Sequence, residues 1–448
     1  KGIFEGTITP VFCGSATNLE GLSLLMGAMV SMLPSAAEVA KEEGVSGDDI
    51  VEVECDASAP TVAYVFKTIA DPFVGKLSYV KVVAGRLTPD AELINMTTGQ
   101  PEKLGKLLYV RGKKQEETKE VPAGDICAVS KLLANTGDTL CSPKRKVVLS
   151  KAEFPAPCYS RTIVPVGKGD ESKISQGVAR LLEEDPTLSY TLNTETKEQI
   201  ISGLGEQHLD VTIAKLKNKF GVDVKLEAPT IAYRETIRKK VKVQGKHKKQ
   251  SGGHGQYGDV WIEFEPCDSE GLVFAENVFG GSVPRNFFPA VEKGLQDCVK
   301  KGVLAGYPVV GLKATLVDGS YHPVDSSEMA FKTAASLAYK AGLAQASPII
   351  LEPIGSLKVQ VPDDTTGDMM GELNKRRGRV LGMNSIGDNM TEIEAEAPMS
   401  EMQDFATLVR QMTQGSGSFT LEFLRYDPLP SNLEAAVIAN SKQLSNEA

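Results

Sequence analysis

One order of local periodicities, strand–helix–strand–strand–helix–strand, occurs twice in this sequence, over residues 152–230 and again over 353–426. In the first stretch Tyr159 to Val166 reads as a strand. Ile174, Val178, Leu181 and Leu182 then recur at helical spacing until Asp185-Pro186 stops them. Short strands at 188–193 and 199–202 follow. Leu209, Ile213, Leu216 and Phe220 mark a second helix ended by Gly221, and Val222 to Leu226 closes the set. In the second stretch Ile354 to Val361 is a strand, and Thr365-x-x-Asp368 predicts a capped helix through Arg377 with Gly378 at its end. Strands follow near 379–386 and 390–397. Ser400-x-x-Gln403 predicts the cap of a helix carrying Phe405, Leu408, Val409 and Met412, and Phe419 to Phe423 is the last strand. The βαββαβ order is that of a ferredoxin-like domain. Two such units in one chain make the fold class multidomain α+β.

The remaining stretches read differently. Residues 45–151 carry short alternating strands, such as Val62, Tyr64 and Phe66, punctuated by Gly75, Gly85, Gly99, Gly112 and Gly124, which predicts a small β-barrel. Residues 231–352 hold several strands and two helices, one with Phe288, Val291, Leu295 and Val299 on a face, the other running from Ser326 to Gly342. Residues 427–448 predict one further helix. Residues 1–44 supply one strand and one helix, with Leu22, Leu25, Met26 and Met29 in its stripe and Pro34 at its end. That is too little for a core, so this segment reads as the end of a preceding domain. The opening Lys1-Gly2-Ile3-Phe4, without Met, reads as the interior of a longer protein.

Composition narrows the class. The chain has 448 residues, 41% hydrophobic and 24% charged, so it can bury several cores. No run approaches 18 uninterrupted apolar residues, which predicts no membrane span. The seven cysteines form no C-x-x-C pair and predict buried, reduced thiols in a cytoplasmic protein. The four histidines, His208, His247, His254 and His322, are dispersed and predict no metal site. His208, at a helix start, reads as a packed or capping residue.

The net charge of −9 argues against a general nucleic-acid binder, yet one stretch reverses it locally. Between Glu235 and Asp259 there is no acid and there are seven cations, among them Lys246, Lys248 and Lys249. Gln250-Ser251-Gly252-Gly253-His254-Gly255-Gln256-Tyr257-Gly258 completes the run. Lysines neutralise phosphate, and glycines let a backbone come close to it. Gln256 and Tyr257 can hydrogen-bond or stack on bases. The equally open reading is a solvated loop. Gly253-x-Gly255-x-x-Gly258 spells a dinucleotide or kinase loop, but no helix follows it and no other kinase motif exists in the chain. Lys375-Arg376-Arg377-Gly378-Arg379 is a second basic cluster, at a predicted helix C-terminus, where the helix dipole alone accounts for cations. No G-x-x-x-x-G-K-[ST] phosphate loop and no nucleophile–base set occurs, so no catalytic residue is assigned.

These blocks resemble bacterial elongation factor G, a translational GTPase, over nearly the whole chain. The resemblance is carried by Ile201-Ser202-Gly203-Leu204-Gly205-Glu206-Gln207-His208, by Gly245 to Gly258, by Leu304-Ala305-Gly306-Tyr307-Pro308, by Gly319-Ser320-Tyr321-His322-Pro323-Val324-Asp325-Ser326-Ser327-Glu328, and by Thr366-Gly367-Asp368 with Arg376-Arg377-Gly378. It implies an order of parts: residues 1–44 as the remnant of a GTPase domain, 45–151 a barrel, 152–230 and 353–426 ferredoxin-like, and 231–352 an elongated domain of the ribosomal S5 domain 2-like type. It implies that Ser15 and Ala16 belong to the last guanine-base loop. GTP and magnesium would then serve the parent protein, and no cofactor this chain. It also implies a monomer that binds the ribosome and its RNA, and acts on tRNA and mRNA. Lys246, His247, Lys248, Lys249, Gln250, Ser251, Gly253, His254, Gln256, Tyr257 and His322 would lie at the small-subunit decoding site. Arg376 and Arg377 would lie near the large-subunit factor site. His254 stands where the family's loop carries Arg, and Thr17 where many GTPases carry Lys. A ribosome-protection or recycling paralogue, or a non-enzymatic RNA-binding module, remains the alternative.

Overall fold

The computed structural model describes residues 2–39, 41–71, 75–112, 114–167, 169–250 and 255–447, apart from the side chains of Glu171 and residues 442–447. The chain forms two compact units, one comprising residues 1–157, 163–191 and 201–226, the other residues 158–162, 192–200 and 227–448.

The first unit opens with helix Leu22–Met32, none of whose residues is buried. Leu22–Val39 is, among the described residues, the one stretch apolar enough to count as a candidate membrane span, with a mean hydropathy of 1.5. The stretch is interrupted by Ser23, Ser31, Pro34, Ser35 and Glu38, so it is not the uninterrupted apolar run that the sequence expectation concerned. The backbone breaks at Leu33, which is extended, and Pro34 prevents repair. Eleven residues give a rise of about 16 Å, half the hydrocarbon thickness of a bilayer.

Strand Lys41–Ser46 pairs antiparallel with Asp49–Glu54 and with Val148–Leu149, so pairing begins four residues before the expected start at 45. Gly44 permits it, because a Cβ there would lie 2.5 Å from Val147 Cγ1. An eight-stranded sheet, in which Val62–Asp71 and Gly75–Ala84 are central neighbours, wraps a core of Val65, Val80, Val82, Leu107, Val129 and Leu140. The five glycines that punctuate this region all have φ between +58° and +89°, a backbone conformation that favours glycine at the turns and strand boundaries where they sit.

Strands Tyr159–Pro165, Ser189–Leu192, Gln199–Gly203 and Val224–Glu227 alternate with helices Glu171–Glu184 and Glu206–Phe220 in the order read from the sequence. His208 ties the helix start to the preceding turn. Its Nδ1 accepts from the Leu204 amide at 3.0 Å and its Nε2 lies 2.9 Å from Asp185. Burial pushes the Asp185 carboxyl up, but hydrogen bonds from Thr187 and His208 outweigh it and hold the group below the usual carboxylate range. Glu184 is clamped by Lys215 and Lys219, each at 2.8 Å.

In the second unit, strand Pro348–Pro362 pairs with Arg234–Ile237 at its beginning and with Met390–Pro398 and Ser418–Pro428 beyond. The domain limit expected at 352/353 therefore falls inside one strand, next to a bulge at Ile354/Gly355 that accommodates Pro353. Helices Thr366–Lys375 and Phe405–Met412 bury Met369, Leu373, Phe405 and Val409. Neither predicted capping box forms. Thr365 Oγ1 donates to the Pro362 carbonyl instead of capping, and the second helix starts only at Phe405, past Ser400 and Gln403. The left-handed residue that ends the first helix is Arg377, φ +59°, rather than Gly378.

A mixed sheet in the order Val241–Lys249, Gln256–Pro266, Leu312–Ser320, Leu272–Glu276 carries helices Phe288–Cys298 and Glu328–Gln345 on one face. Val243, Val260, Ile262, Phe264, Ala314 and Leu316 point into that core. Glu235, 1% exposed, anchors the loop beside it. Its carboxylate accepts from the amides of Leu304, Ala305, Gly306 and Tyr307 at 2.9–3.1 Å. Of the seven free cysteines only Cys127 and Cys141 are buried; Cys13 is exposed, against the expectation of buried thiols throughout.

Candidate nucleic-acid interface

Strands Val241–Lys249 and Gln256–Pro266 pair without interruption from Val241↔Phe264 to Lys249↔Gln256, so the cationic run is one hairpin. Ser251, Gly253 and His254 lie outside the described residues. Gly245 and Gly258 let the hairpin lie directly on helix Glu328–Gln345. A Cβ at Gly245 would collide with the Ala334 carbonyl oxygen, and one at Gly258 would come within 2.5 Å of that of Ala330.

The loop before that helix closes against the same end of the hairpin. Asp325 accepts from the Gly255 amide at 3.0 Å through its carboxylate and from the Tyr257 amide at 2.8 Å through its carbonyl. Ser326 Oγ donates to the Tyr257 carbonyl at 3.0 Å and accepts from the His322 amide at 2.9 Å. Tyr257 and His322 rings are 6.3 Å apart, and Gln256 Oε1 is 2.9 Å from His247 Nε2. Gln256, Tyr257 and His322 therefore gather at one end of this sheet. Helix Glu328–Gln345 is capped by Ser327, whose hydroxyl accepts from Ala330, so His322 is free of that task. His322 Nδ1 instead accepts from the Val324 and Asp325 amides at 3.3 and 3.1 Å. In the neutral ring this leaves the proton on Nε2 as a donor on a half-exposed side chain.

Lys248, Lys249 and Gln250 are exposed, and among the described residues no carboxylate pairs with either lysine. Lys246 lies 5.8 Å from the Tyr257 ring centroid and 4.0 Å from Asp259. Lys240, at the far end of the hairpin, is paired with Glu263 and Glu265. Free positive charge is thus present at the tip, as it also is at Arg238 and Lys239 before the hairpin begins. Sequence reasoning passed over Asp325, Ser320 and Asp259. Tyr257 Oη and Asp259 both hydrogen-bond to Ser320 Oγ at 2.7 Å, and the signal for this was the first acid after the acid-free run.

Arg376 and Arg377 are employed otherwise. Arg376 pairs with Glu372 and Asp404, and Arg377 binds Glu352 in a two-pronged contact at 2.6 and 2.8 Å and meets Glu401. Hydrogen bonds donated to Asp404 by Arg376 and to Glu352 by Arg377 raise the two guanidinium pKa values. A phosphate would have to compete with these carboxylates. Around Ser15 and Ala16, a groove lined by Phe12, Cys13, Leu19, Glu20 and Leu22 contains no cation.

Four sequence families match in succession: Elongation factor G domain 2 at residues 60–143, Elongation Factor G domain III at 154–228, Elongation factor G domain IV at 229–347, and Elongation factor G C-terminus at 349–437. A crystal structure from Thermus thermophilus superposes with a TM-score of 0.72 at 37% identity, over 94% of this chain. The chain spans 61% of the length of that protein. With four consecutive domains matched in order, the chain belongs to the elongation factor G family.

Proposed function

We propose that this chain is the ribosome-engaging portion of a translational GTPase that promotes GTP-dependent movement of tRNA and mRNA during protein synthesis in the cytoplasm. The reading is supported above all by the tip, where a cationic hairpin, Gln256, Tyr257 and the Nε2–H donor of His322 share one end of a sheet. This end enters the small-subunit decoding site and holds its place by filling space and hydrogen-bonding, without bond chemistry. The block at Thr366 to Gly378 faces the large-subunit factor site, with Arg376 and Arg377 shaping it from within. Residues 1–44 are the end of a GTPase domain, 45–151 a barrel, 152–230 and 353–426 ferredoxin-like, and 231–352 S5 domain 2-like. Recycling of ribosomes is the second activity that the same tip supports.

Two measurements test this. Co-sedimentation with ribosomes is expected to weaken steeply with salt, with a slope of roughly −0.7 to −0.9 in log K against log salt for each phosphate contacted. Binding indifferent to salt would leave only protein contacts and remove the RNA reading. GTP and magnesium act in the parent protein. The 448-residue chain, which has no phosphate loop, is expected to show no binding of a labelled GTP analogue at micromolar concentration. Saturable micromolar binding would overturn that division of labour.

A further inference from the structure

The hairpin sheet has a second face. Val243, Val260, Ile262 and Phe264 point into the helix-covered core, so the residues alternating with them turn the other way. Of these, Lys242, Gln244 and Lys246 are exposed and Trp261 is half-buried. Trp261 is the only tryptophan of the chain. It sits opposite Gln244 and Asp318 in the middle of the sheet, and among the described residues its indole N–H has no hydrogen-bond partner. A tryptophan that is neither fully buried nor paired is characteristic of a contact surface.

The charges on this face divide into two zones. Away from the tip, Lys240 and Lys313 are zipped to Glu263 and Glu265. Nearer the tip the cations lie by rings: the Lys242 ammonium is 5.9 Å from the Trp261 centroid and that of Lys246 is 5.8 Å from Tyr257. The acids among them are occupied. Asp259 accepts from Gln244 and Ser320, and Asp318 from the Gly319 amide. A row of aromatic and cationic side chains running back from the tip suits bases that stack and phosphates that follow.

We propose that this uncovered face, centred on Trp261, binds single-stranded RNA, with an unpaired base stacked on the indole and Lys242 and Lys246 against the flanking phosphates. The proposal rests on the reading of the tip as an RNA-contacting end and extends it along the sheet.

The single tryptophan makes the test direct. Titration of the full chain with a short oligouridylate is expected to quench tryptophan emission in step with the anisotropy of the labelled RNA. Trp261→Leu should weaken binding by about tenfold or more, and Trp261→Phe should recover most of it. Lys242→Glu, on an exposed side chain, should weaken binding without disturbing the core, and it decides the matter if Trp261→Leu fails to fold by circular dichroism. Unchanged affinity in Trp261→Leu and Lys242→Glu, with loss only in Lys248→Glu/Lys249→Glu, overturns the proposal and leaves the tip reading intact. A chain that ignores RNA oligomers yet sediments with ribosomes also overturns it, and points to a protein partner for this face. Failure of both binding assays overturns the tip reading as well.

Discussion

Glu235→Ala is expected to lower the stability of the unit that contains it by roughly 3–5 kcal/mol, the scale for removing one side of a buried charged contact. Four amides converge on this carboxylate, and the residue is only 1% exposed. Truncation leaves all four donors without an acceptor. Gly302 reinforces the effect. A Cβ there would collide with the Glu235 carboxyl group, so the loop is built around this group and cannot collapse onto the space it leaves. Glu235→Gln keeps one acceptor but sets an amide donor toward the remaining N–H groups, and should fall between wild type and Glu235→Ala. Urea unfolding followed by the emission of Trp261 reports this unit separately from the rest of the chain, which need not unfold in one step. A midpoint and slope equal to wild type would refute the assignment.

His322→Ala and Gln256→Ala, placed in a parent protein with its GTPase domain, are expected to slow translocation by roughly tenfold, one hydrogen bond's worth of contact in the rate-limiting state. Ribosome-stimulated GTP hydrolysis should stay near wild type, because neither residue is assigned a part in nucleotide binding or hydrolysis. His322 also shapes its own loop through Nδ1, so alanine alone does not separate the two tasks. His322→Asn does: its side-chain oxygen can replace the Nδ1 acceptor, while the Nε2–H donor is lost. Slow translocation in both variants supports direct contact with RNA. Slow translocation in His322→Ala and a normal rate in His322→Asn would reduce His322 to a loop-shaping residue. Pre-steady-state translocation and phosphate-release assays on the same ribosomes measure both quantities.

Much of this was legible in the sequence because it was written locally. The five glycines between 75 and 124 sit at turns and strand boundaries in a backbone conformation that other residues resist. The cationic stretch announced itself as a run of cations without acids, while the pairing register of its two strands came only from the structure. What could not be read is what depends on partners distant along the chain. Glu235 meets amides 69 to 72 residues downstream, and no local pattern distinguishes it from a surface acid. Arg377 looked like free charge at a helix end, until Glu352, 25 residues away, came to lie beside it. The two capping boxes failed for a related reason. A short turn of 3-10 helix precedes each helix: it puts Thr365, still at the N-cap position, into a helical backbone conformation with its hydroxyl turned to Pro362, and it moves the start of the second helix past Ser400 and Gln403. Trp261 gave no signal at all, because one tryptophan in an alternating strand reads as core until the parity of its neighbours is known.

The glycine contacts at positions 245 and 258 have a mechanical consequence. Most hairpins ride on their helices through a cushion of side chains, whose rotamers absorb small displacements. Here the backbone of the hairpin rests on the carbonyls of Ala330 and Ala334 with no side chain between. The strand carries nine residues, about 30 Å, and the helix eighteen, about 27 Å. The two are thus in rigid contact over about one helical turn, and a load applied at Gln256 passes into the helix there with little loss to bending. Where it rests on the helix, such a hairpin acts as a stiff rod. Larger residues at 245 or 258 would turn the rod into a spring.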